Sequence, residues 1–406
     1  MSSLEQWIAR QWDHAAEMML KSISPVDIVK TRAHFGQVIV PKPGAVVASP
    51  VLAGYDPDPD YFFHWYRDSA AVIDALHLLR ADLPQADTLF HDFVRFSLDL
   101  ETLDGRRAAP HWQDAAAPDF ARFLRKNIDI AHGTAIPAET RVNPDGTLDI
   151  TDWPRPQHDG PALRALTLMR WGAEDDAAAK LVRHDLAFVL SHARKPCFDI
   201  WEEEFGLHAY TLRVSAAALK RGAVWFAARG AHADAERCLA EMAVLEAMLD
   251  DFWMEEVAHI RSRKVEGGAP EKLLDCAVIL AANHAGMTGE RYIATLKRLE
   301  TLFDASYAIN RDRPAGRAPA LGRYAGDKYY SGGAYYFSTL GAAEFSYRSG
   351  DFARGDAYME TVRAFTPPSG DLSEQFDQTT GEQTSAKHLA WSYAALLTAV
   401  AARQGR

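Results

Sequence analysis

The chain is poor in cysteine and has no long apolar run. Its 406 residues include only Cys197, Cys238 and Cys276, an odd number without a CxxC pair. The sequence therefore predicts buried free thiols rather than a disulfide framework or a zinc site. No stretch approaches the roughly 20 consecutive apolar residues of a membrane-spanning helix.

The chain also lacks an excess of positive charge. It has 44 basic and 55 acidic residues, a net charge of -11, which argues against nucleic acid or an anionic membrane surface as partner. The amphipathic N-terminus carries Glu5, Asp13 and Glu17, unlike a secretory signal peptide. We expect a cytoplasmic protein with a neutral substrate, and its oligomeric state stays open.

Several catalytic signatures are missing as well. The sequence contains no HExxH, GxSxG or Walker motif and no glycine-rich dinucleotide turn, and its 15 histidines show no ligand spacing. We therefore expect neither a metal nor a cofactor.

Strand-like alternation is scarce, and residues 34–41 are the best candidate. Apolar periodicity of 3.6 residues instead predicts an all-α protein with small hairpins in its loops. The predicted helices cover about 3–22, 66–80, 85–102, 159–172, 175–193, 208–228, 232–253, 270–283, 287–303, 331–348, 352–365 and 385–403.

The connections between these twelve helices alternate in length. Those after every second helix are short and contain Pro84, Gly172, Gly230, Gly286 and Gly350, as tight antiparallel turns require. The other connections are long, so all long loops lie at one end. This pattern predicts one domain over residues 1–406, an (α/α)6 toroid of six hairpins whose active site lies at the long-loop face.

Two of the long loops are acidic and flanked by aromatic residues, FDIWEEEFG with Glu202 and DLSEQFDQTTGEQTSAKHLAW with Glu374. Glycosidic bonds are cleaved by two carboxyl groups, one acid and one base or nucleophile. Crowded carboxylates raise one another's pKa, so we expect a protonated acid near Glu202. Alternatively, the second segment is a turn followed by a helix capped at Thr384 or Ser385.

Three further segments carry aromatic and charged residues, which have either a role in substrate binding or a structural role. Arg67 and Asp68 form a clamp for sugar hydroxyls, or Asp68 caps a helix among core aromatics. Asp159 is predicted to cap the next helix, and Trp153 before it is a core anchor or a sugar-stacking platform. In GRYAGDKYYSGGAYYF, Arg323 lines a polar pocket with Tyr329, or the tyrosines stack in the core.

Four blocks in this order resemble glycoside hydrolase family 15, the glucoamylases, and above all their fungal-type catalytic domain. They are PDYFFHWYRDS, WPRPQHDGPALRA, DIWEEEFG, and GRYAGDKYYSGG followed by LSEQFDQTTGEQTSAKHLAWSYAALLTA. The resemblance implies an (α/α)6 barrel that releases glucose from non-reducing ends with inversion, with Glu202 as general acid and Glu374 as base.

The resemblance also implies substrate-binding residues, namely Tyr61, Arg67, Asp68, Trp153, Asp199, the carbonyl of Ile200, Trp201, Glu203 and Arg323. From the segments themselves we add Trp65, Tyr329 and Tyr335 as substrate-binding candidates. Phe205 and Tyr335 depart from the fungal pattern, which has Asn and Trp there, and we expect both near the outer subsites. Linkage and chain-length preference therefore stay open.

The preferred function is an α-1,4-glucan or maltooligosaccharide hydrolase of the glucan 1,4-alpha-glucosidase type. An isomaltose, dextran or trehalose hydrolase on the same fold is the alternative. A non-catalytic glucan-binding regulator would have lost one carboxylate, and a phosphorylase would replace the base by a phosphate pocket. The presence of both Glu202 and Glu374 argues against these two.

Overall fold

In a computed structural model, which describes residues 3–54, 57–108, 112–172 and 175–406, the chain folds into a ring of helical hairpins. Within these ranges there are twelve α-helices. Their bounds are α1 Leu4–Leu20, α2 Tyr66–Leu76, α3 Ala86–Leu100, α4 Asp159–Arg170, α5 Asp176–His192, α6 Ala209–Ala227, α7 His232–Asp250, α8 Ala277–Ala285, α9 Glu290–Ser306, α10 Tyr336–Arg348, α11 Phe352–Phe365 and α12 Ala390–Arg403.

The even-numbered helices form a closed inner ring. Each contacts the next, from α2 through α4, α6, α8 and α10 to α12, and α12 contacts α2. Helices α10 and α12 are buried on almost every side, whereas the outer helices α7 and α9 bury a single face. This is the pattern expected when apolar residues surround one helix and form a stripe on the other. The predicted (α/α)6 toroid is confirmed.

Short turns close the ring at one end and long loops at the other. Gly286 follows α8 and Gly350 follows α10, both in the left-handed backbone region, where glycine carries no steric penalty. Among the described residues, no helix is long and apolar enough to cross a membrane. The three cysteines are buried and unpaired, as the sequence predicts.

The long loops carry small antiparallel sheets. Their strands are β1 Lys30–Arg32, β2 Gln37–Ile39, β3 His64–Trp65, β4 Arg141–Val142, β5 Cys197–Phe198, β6 Phe205–His208, β7 Trp253–Met254, β8 His259–Ile260, β9 Arg263–Lys264, β10 Ala334–Tyr335, β11 Ser373–Phe376 and β12 Gln383–Lys387. The strand predicted at 34–41 is reduced to β2, because residues 33–35 form a 3-10 turn.

Three helices begin later than periodicity predicts, α8 at Ala277, α10 at Tyr336 and α12 at Ala390. For α10 and α12 the cause is the sheet β10–β11–β12, which takes residues that precede each helix. Two predicted caps are wrong as well. Thr384 and Ser385 lie in β12, and the buried Asp159 has no hydrogen-bond partner for either carboxyl oxygen among the described residues.

Candidate active site

Glu202 lies in the tight turn that joins β5 and β6. The carboxylate of Asp199 organises this turn, because its Oδ1 accepts the backbone N–H groups of Glu203 (2.7 Å) and Glu204 (3.1 Å). The backbone of Glu202 has a φ of 63°, a left-handed conformation that costs a non-glycine residue free energy and is found most often at functional sites. Asp199 is 2% exposed and acts here as a turn residue.

Three donors fix the carboxylate of Glu202. The indole N–H of Trp65 donates to Oε1 (2.9 Å), as does the guanidinium of Arg67 (3.1 Å). The indole N–H of Trp153 donates to Oε2 (2.6 Å). Trp153 is only partly buried, with the guanidinium of Arg141 stacked 3.6 Å above its ring. Both tryptophans therefore orient the carboxylate, and Trp153 also offers a face to the site.

Glu374 lies on β11, and its carboxylate accepts a hydrogen bond from the neighbouring strand β12. The hydroxyl of Ser385 on β12 donates to Oε2, and the hydroxyl of Tyr61 lies 3.4 Å from Oε1. Burial raises the pKa of Glu374 to about 7, although the Ser385 hydrogen bond and Arg323 act in the opposite direction. A carboxylate of that pKa is well suited to accept a proton near neutral pH.

Two neighbouring aromatic residues each contact one of the two carboxylates. The rings of Tyr61, beside Glu374, and Trp65, beside Glu202, have centroids 5.1 Å apart. The hydroxyl of Tyr329 is 2.7 Å from that of Tyr61. The structure thus brings both predicted catalytic residues to one site and holds them on separate loops, without a hydrogen bond between them.

Arg67 ties several parts of the site together. Its guanidinium donates to the carbonyl of Ile200 (2.8 Å) and to Gln157 (3.3 Å), and it forms an ion pair with Asp68 (3.1 Å). Asp68 is buried, and burial raises its pKa against the effect of Arg67. The carbonyl that the resemblance assigns to substrate therefore already accepts one hydrogen bond, and a carbonyl can accept a second.

The acidic run beside Glu202 is neutralised, which differs from the sequence-based expectation. Glu203 is bound by Arg323 (2.9 Å) and Lys272 (2.7 Å). Burial opposes its ionisation, but these cations and the hydroxyl of Tyr324 outweigh burial and lower the pKa of Glu203. Glu204 pairs with Arg263 (3.1 Å). The prediction that crowding raises the pKa of these carboxylates is therefore wrong for Glu203.

Arg323 and Trp201 are held by buried acids. Arg323 forms a bidentate pair with Asp327, at 2.6 Å on both oxygens. The indole N–H of Trp201 donates to Asp275 (2.9 Å), and burial raises the pKa of Asp275 to about 6 despite Arg263. The Arg323 guanidinium lies 5.3 Å from the Trp201 ring centroid, so these two predicted residues are neighbours.

The two positions that depart from the fungal pattern have different environments. Phe205 is 50% exposed and packs edge-on against Phe198. Tyr335 is 1% exposed, and its hydroxyl donates to Asp327 (3.2 Å) and accepts from Gln375 (2.8 Å). Tyr335 thus lies behind Arg323 as a supporting residue, because its ring has no free surface for a sugar.

Sequence reasoning missed a group of supporting residues, because no local pattern shows which partner each of them meets. Ser385 lies in the last of the four blocks but was interpreted as a helix cap. The others were not predicted, although four of them lie in those blocks. They are Gln157, Arg263, Lys272, Asp275, Tyr324, Asp327 and Gln375. Among the described residues, no cluster of three or more His, Cys, Asp or Glu could hold a metal ion.

The chain is similar to a well-defined group of proteins. The sequence profile named "Glycosyl hydrolases family 15" matches residues 28–98, 134–350 and 352–401. The chain is 25% identical to "Glucoamylase 1" of Rhizopus oryzae, over 100% of this chain and 72% of the relative. It is 26% identical to "Probable glucoamylase" of Schizosaccharomyces pombe, over 99% of this chain and 92% of the relative.

Solved structures share the fold. The family 15 glucoamylase from Hypocrea jecorina aligns with a TM-score of 0.82 and 23% identity, over 99% of this chain and 73% of that one. The Hormoconis resinae glucoamylase aligns with a TM-score of 0.79 and 25% identity, over 99% and 74%.

Proposed function

The chain belongs to glycosyl hydrolase family 15, and from this membership we propose that it is an inverting, exo-acting α-glucosidase that releases β-glucose from the non-reducing ends of α-1,4-linked glucans. The coarser part follows from the family: it is a glycoside hydrolase of the glucoamylase type, and its substrate class is α-glucan. Linkage, end preference and stereochemistry are the parts proposed.

One observation carries the mechanism. Glu202 and Glu374 lie on different loops of one site, and each contacts a different ring of the neighbouring pair Tyr61 and Trp65. Inverting glycosidases hold their carboxyl groups about 6.5 to 9.5 Å apart so that a water molecule fits between sugar and base, whereas retaining enzymes need about 5 to 5.5 Å. Two carboxylates on different loops, each next to a different ring and without a hydrogen bond between them, favour the first arrangement.

Glu202 acts as the general acid in this proposal. Trp65 and Trp153 fix the carboxyl plane through hydrogen bonds to both oxygens, so the acid proton points towards one place, where the leaving oxygen of the glycosidic bond would lie. Trp153 also stacks on the adjoining sugar. Orientation of this kind lowers the entropic part of the activation barrier, because the acid is already aligned with the substrate.

Glu374 acts as the general base and removes a proton from the attacking water. Burial gives this carboxylate its raised pKa, which strengthens it as a proton acceptor. The hydroxyl of Ser385 occupies Oε2, so Oε1 is the oxygen left for water, with Tyr61 beside it. Arg67 and Asp68 bind hydroxyls of the terminal glucose and close the pocket behind it, so only the end of a chain can enter.

Proton NMR at the earliest time points tests the stereochemistry. We expect the first glucose released from maltose or maltotriose to be the β-anomer, before mutarotation mixes the two forms. Initial α-glucose would exclude inversion and remove Glu374 from the role of base. The same spectra with isomaltose, dextran and trehalose identify the preferred linkage, and faster release from one of these than from maltose would overturn the α-1,4 assignment.

A further inference from the structure

The inner ring of helices encloses a second cavity, away from the catalytic loops. Its volume is about 560 Å³, within the range of roughly 300 to 1,000 Å³ that small-molecule sites occupy. Every inner helix contributes a stripe of residues spaced by three or four. The stripes include Ala70 and Asp74, Leu163 and Arg170, Ala217 and Arg221, Leu280 and Asn283, Gly341 and Arg348, and Ala394 and Thr398.

The cavity opens at the short-loop end of the barrel. Its wall includes the exposed residues Gly286, which follows α8, and Arg348, the last residue of α10. On the opposite side it is closed by the stacked rings of Phe337 and Trp391, 4.4 Å apart and tilted by 6°. Trp201 of the catalytic site packs on the far side of Phe337. The two sites therefore share a wall and have separate entrances.

Basic side chains surround the mouth of this cavity. Two of them are paired within the wall, Arg170 with Asp74 at 2.6 Å and Arg348 with Glu344 at 2.8 Å. Lys220 and Arg221 on α6 also line the cavity and are exposed. Neither forms an ion pair or a hydrogen bond within the described part of the chain.

Helix dipoles do not account for these two cations. Basic residues often lie at helix C-termini, where they offset partial negative charge, but the effect falls off within the last turn. α6 continues to Ala227, roughly two turns beyond Lys220 and Arg221. Their positive charge is therefore available to an anion.

A buried acceptor lines the same cavity. The side chain of Asn283 is 5% exposed. Its amide nitrogen donates to the carbonyl of Gly341 (2.8 Å), while its Oδ1 has no partner within the described residues. A buried acceptor without a donor is destabilising, so a ligand hydroxyl at this place would be stabilising.

We propose that this cavity inside the ring of inner helices is a second binding site, for a small polyhydroxylated anion such as a sugar phosphate or a sugar acid. The anionic group lies between Lys220 and Arg221 at the mouth, and a hydroxyl of the sugar donates to Asn283. The apolar wall of alanine and leucine side chains contacts the carbon skeleton. The ligand reaches the Phe337–Trp391 wall from the side opposite to the substrate.

Isothermal titration calorimetry tests the site with the catalytic pocket blocked by an excess of a glucose-like iminosugar inhibitor. Glucose 6-phosphate, gluconate, glucose and inorganic phosphate are the probes. We expect saturable binding of glucose 6-phosphate or gluconate, at least about tenfold tighter than glucose or phosphate, because only these two supply both the charge and the hydroxyls. The order of the two separates phosphate from carboxylate chemistry.

A pair of double variants completes the test. Lys220→Ala with Arg221→Ala should weaken binding at least about tenfold, and both residues are exposed, so folding should be unaffected. Lys297→Ala with Arg298→Ala on α9 removes an equally exposed basic pair away from the cavity and should leave binding unchanged. Absent binding, equal binding by both double variants, or tight binding of phosphate alone would overturn the proposal. None of these readouts depends on catalysis.

Discussion

At the scale of single residues, the ionisation of Glu374 is set by opposing local effects. Burial raises its pKa to about 7, and the hydroxyl of Ser385 lowers it by a hydrogen bond. In its proposed role as general base Glu374 works only when ionised, so we expect activity to rise with pH through this pKa. Ser385 itself has a φ of 64°, so a backbone conformation that is costly for a non-glycine residue places the hydroxyl on the carboxylate.

Ser385→Ala should therefore move the acidic limb of the kcat/KM profile to higher pH. Loss of the hydroxyl removes an interaction that favours the ionised carboxylate, so the pKa rises and less base is available below neutrality. A pH series of initial rates on maltose measures the shift. Ser346→Ala is the matched control, because that buried hydroxyl donates to the carbonyl of Ala342. A limb that stays in place, or moves to lower pH, would contradict the assigned role.

Glu202→Gln and Glu374→Gln should each lower kcat by about a thousandfold or more while inhibitor binding survives. Both carboxyl groups act chiefly in the transition state, and glutamine keeps their shape without the proton chemistry. Steady-state rates and iminosugar binding by calorimetry measure the two effects. Glu382→Gln, at the exposed tip of the β11–β12 hairpin, is the control. Near-normal turnover by Glu374→Gln would move the base to another residue, and Asp377 would be tested first.

At the scale of elements, two small sheets position the proposed catalytic residues. β5 and β6 carry the turn with Glu202, and β11 carries Glu374 between β10 and β12. Close packing of backbone sets the position of β11, because a Cβ at Gly333 would lie 2.3 Å from the carbonyl oxygen of Phe376. Only glycine fits at that distance.

Gly333→Ala should displace β11 and with it the base. Overpacking costs typically about 1 to 3 kcal/mol, and a shift of about 1 Å in a catalytic group can lower kcat about a hundredfold. Thermal unfolding and kcat measure the two consequences. Gly54→Ala, where an added Cβ meets nothing within 4 Å, should change neither. A Gly333→Ala protein with normal kcat and a lower Tm would separate the spacing of β10 and β11 from the position of Glu374.

At the scale of the whole molecule, the closed ring of inner helices places all long loops on one face. Segments around Tyr61, Trp153, Glu202, Arg323 and Glu374 come from five different loops and meet there. A site built from loops on all sides has the shape of a pocket, and a pocket admits a chain end more readily than the middle of a chain.

From that shape we expect exo-action. On a maltooligosaccharide of seven glucose units, we expect glucose as the only small product at early times, together with a substrate shortened by one unit. Chromatography of the first few per cent of the reaction measures this. Mid-sized fragments before glucose would indicate an open cleft and would contradict the closed arrangement around Arg67 and Asp68.

Much of this architecture could be predicted from local sequence patterns. Apolar periodicity gave twelve helices, the alternation of short and long connections gave the toroid and its functional face, and the acidic aromatic segments pointed to Glu202 and Glu374. These features depend on residues close together in the chain, since periodicity and turn chemistry act over a few residues. A single domain over residues 1–406 and the individual substrate contacts stay predictions.

Only the tertiary structure decided the environment of each group. Glu203 looked like part of a repelling acidic run, but Arg323 and Lys272, which neutralise it, come from distant loops. Tyr335 is buried by segments that no local pattern connects to it. Ser385 meets Glu374 because β11 and β12 pair, whereas periodicity predicted that a helix begins at residue 385. Charge, burial and hydrogen bonding depend on neighbours in space, and those neighbours become defined only when the ring closes.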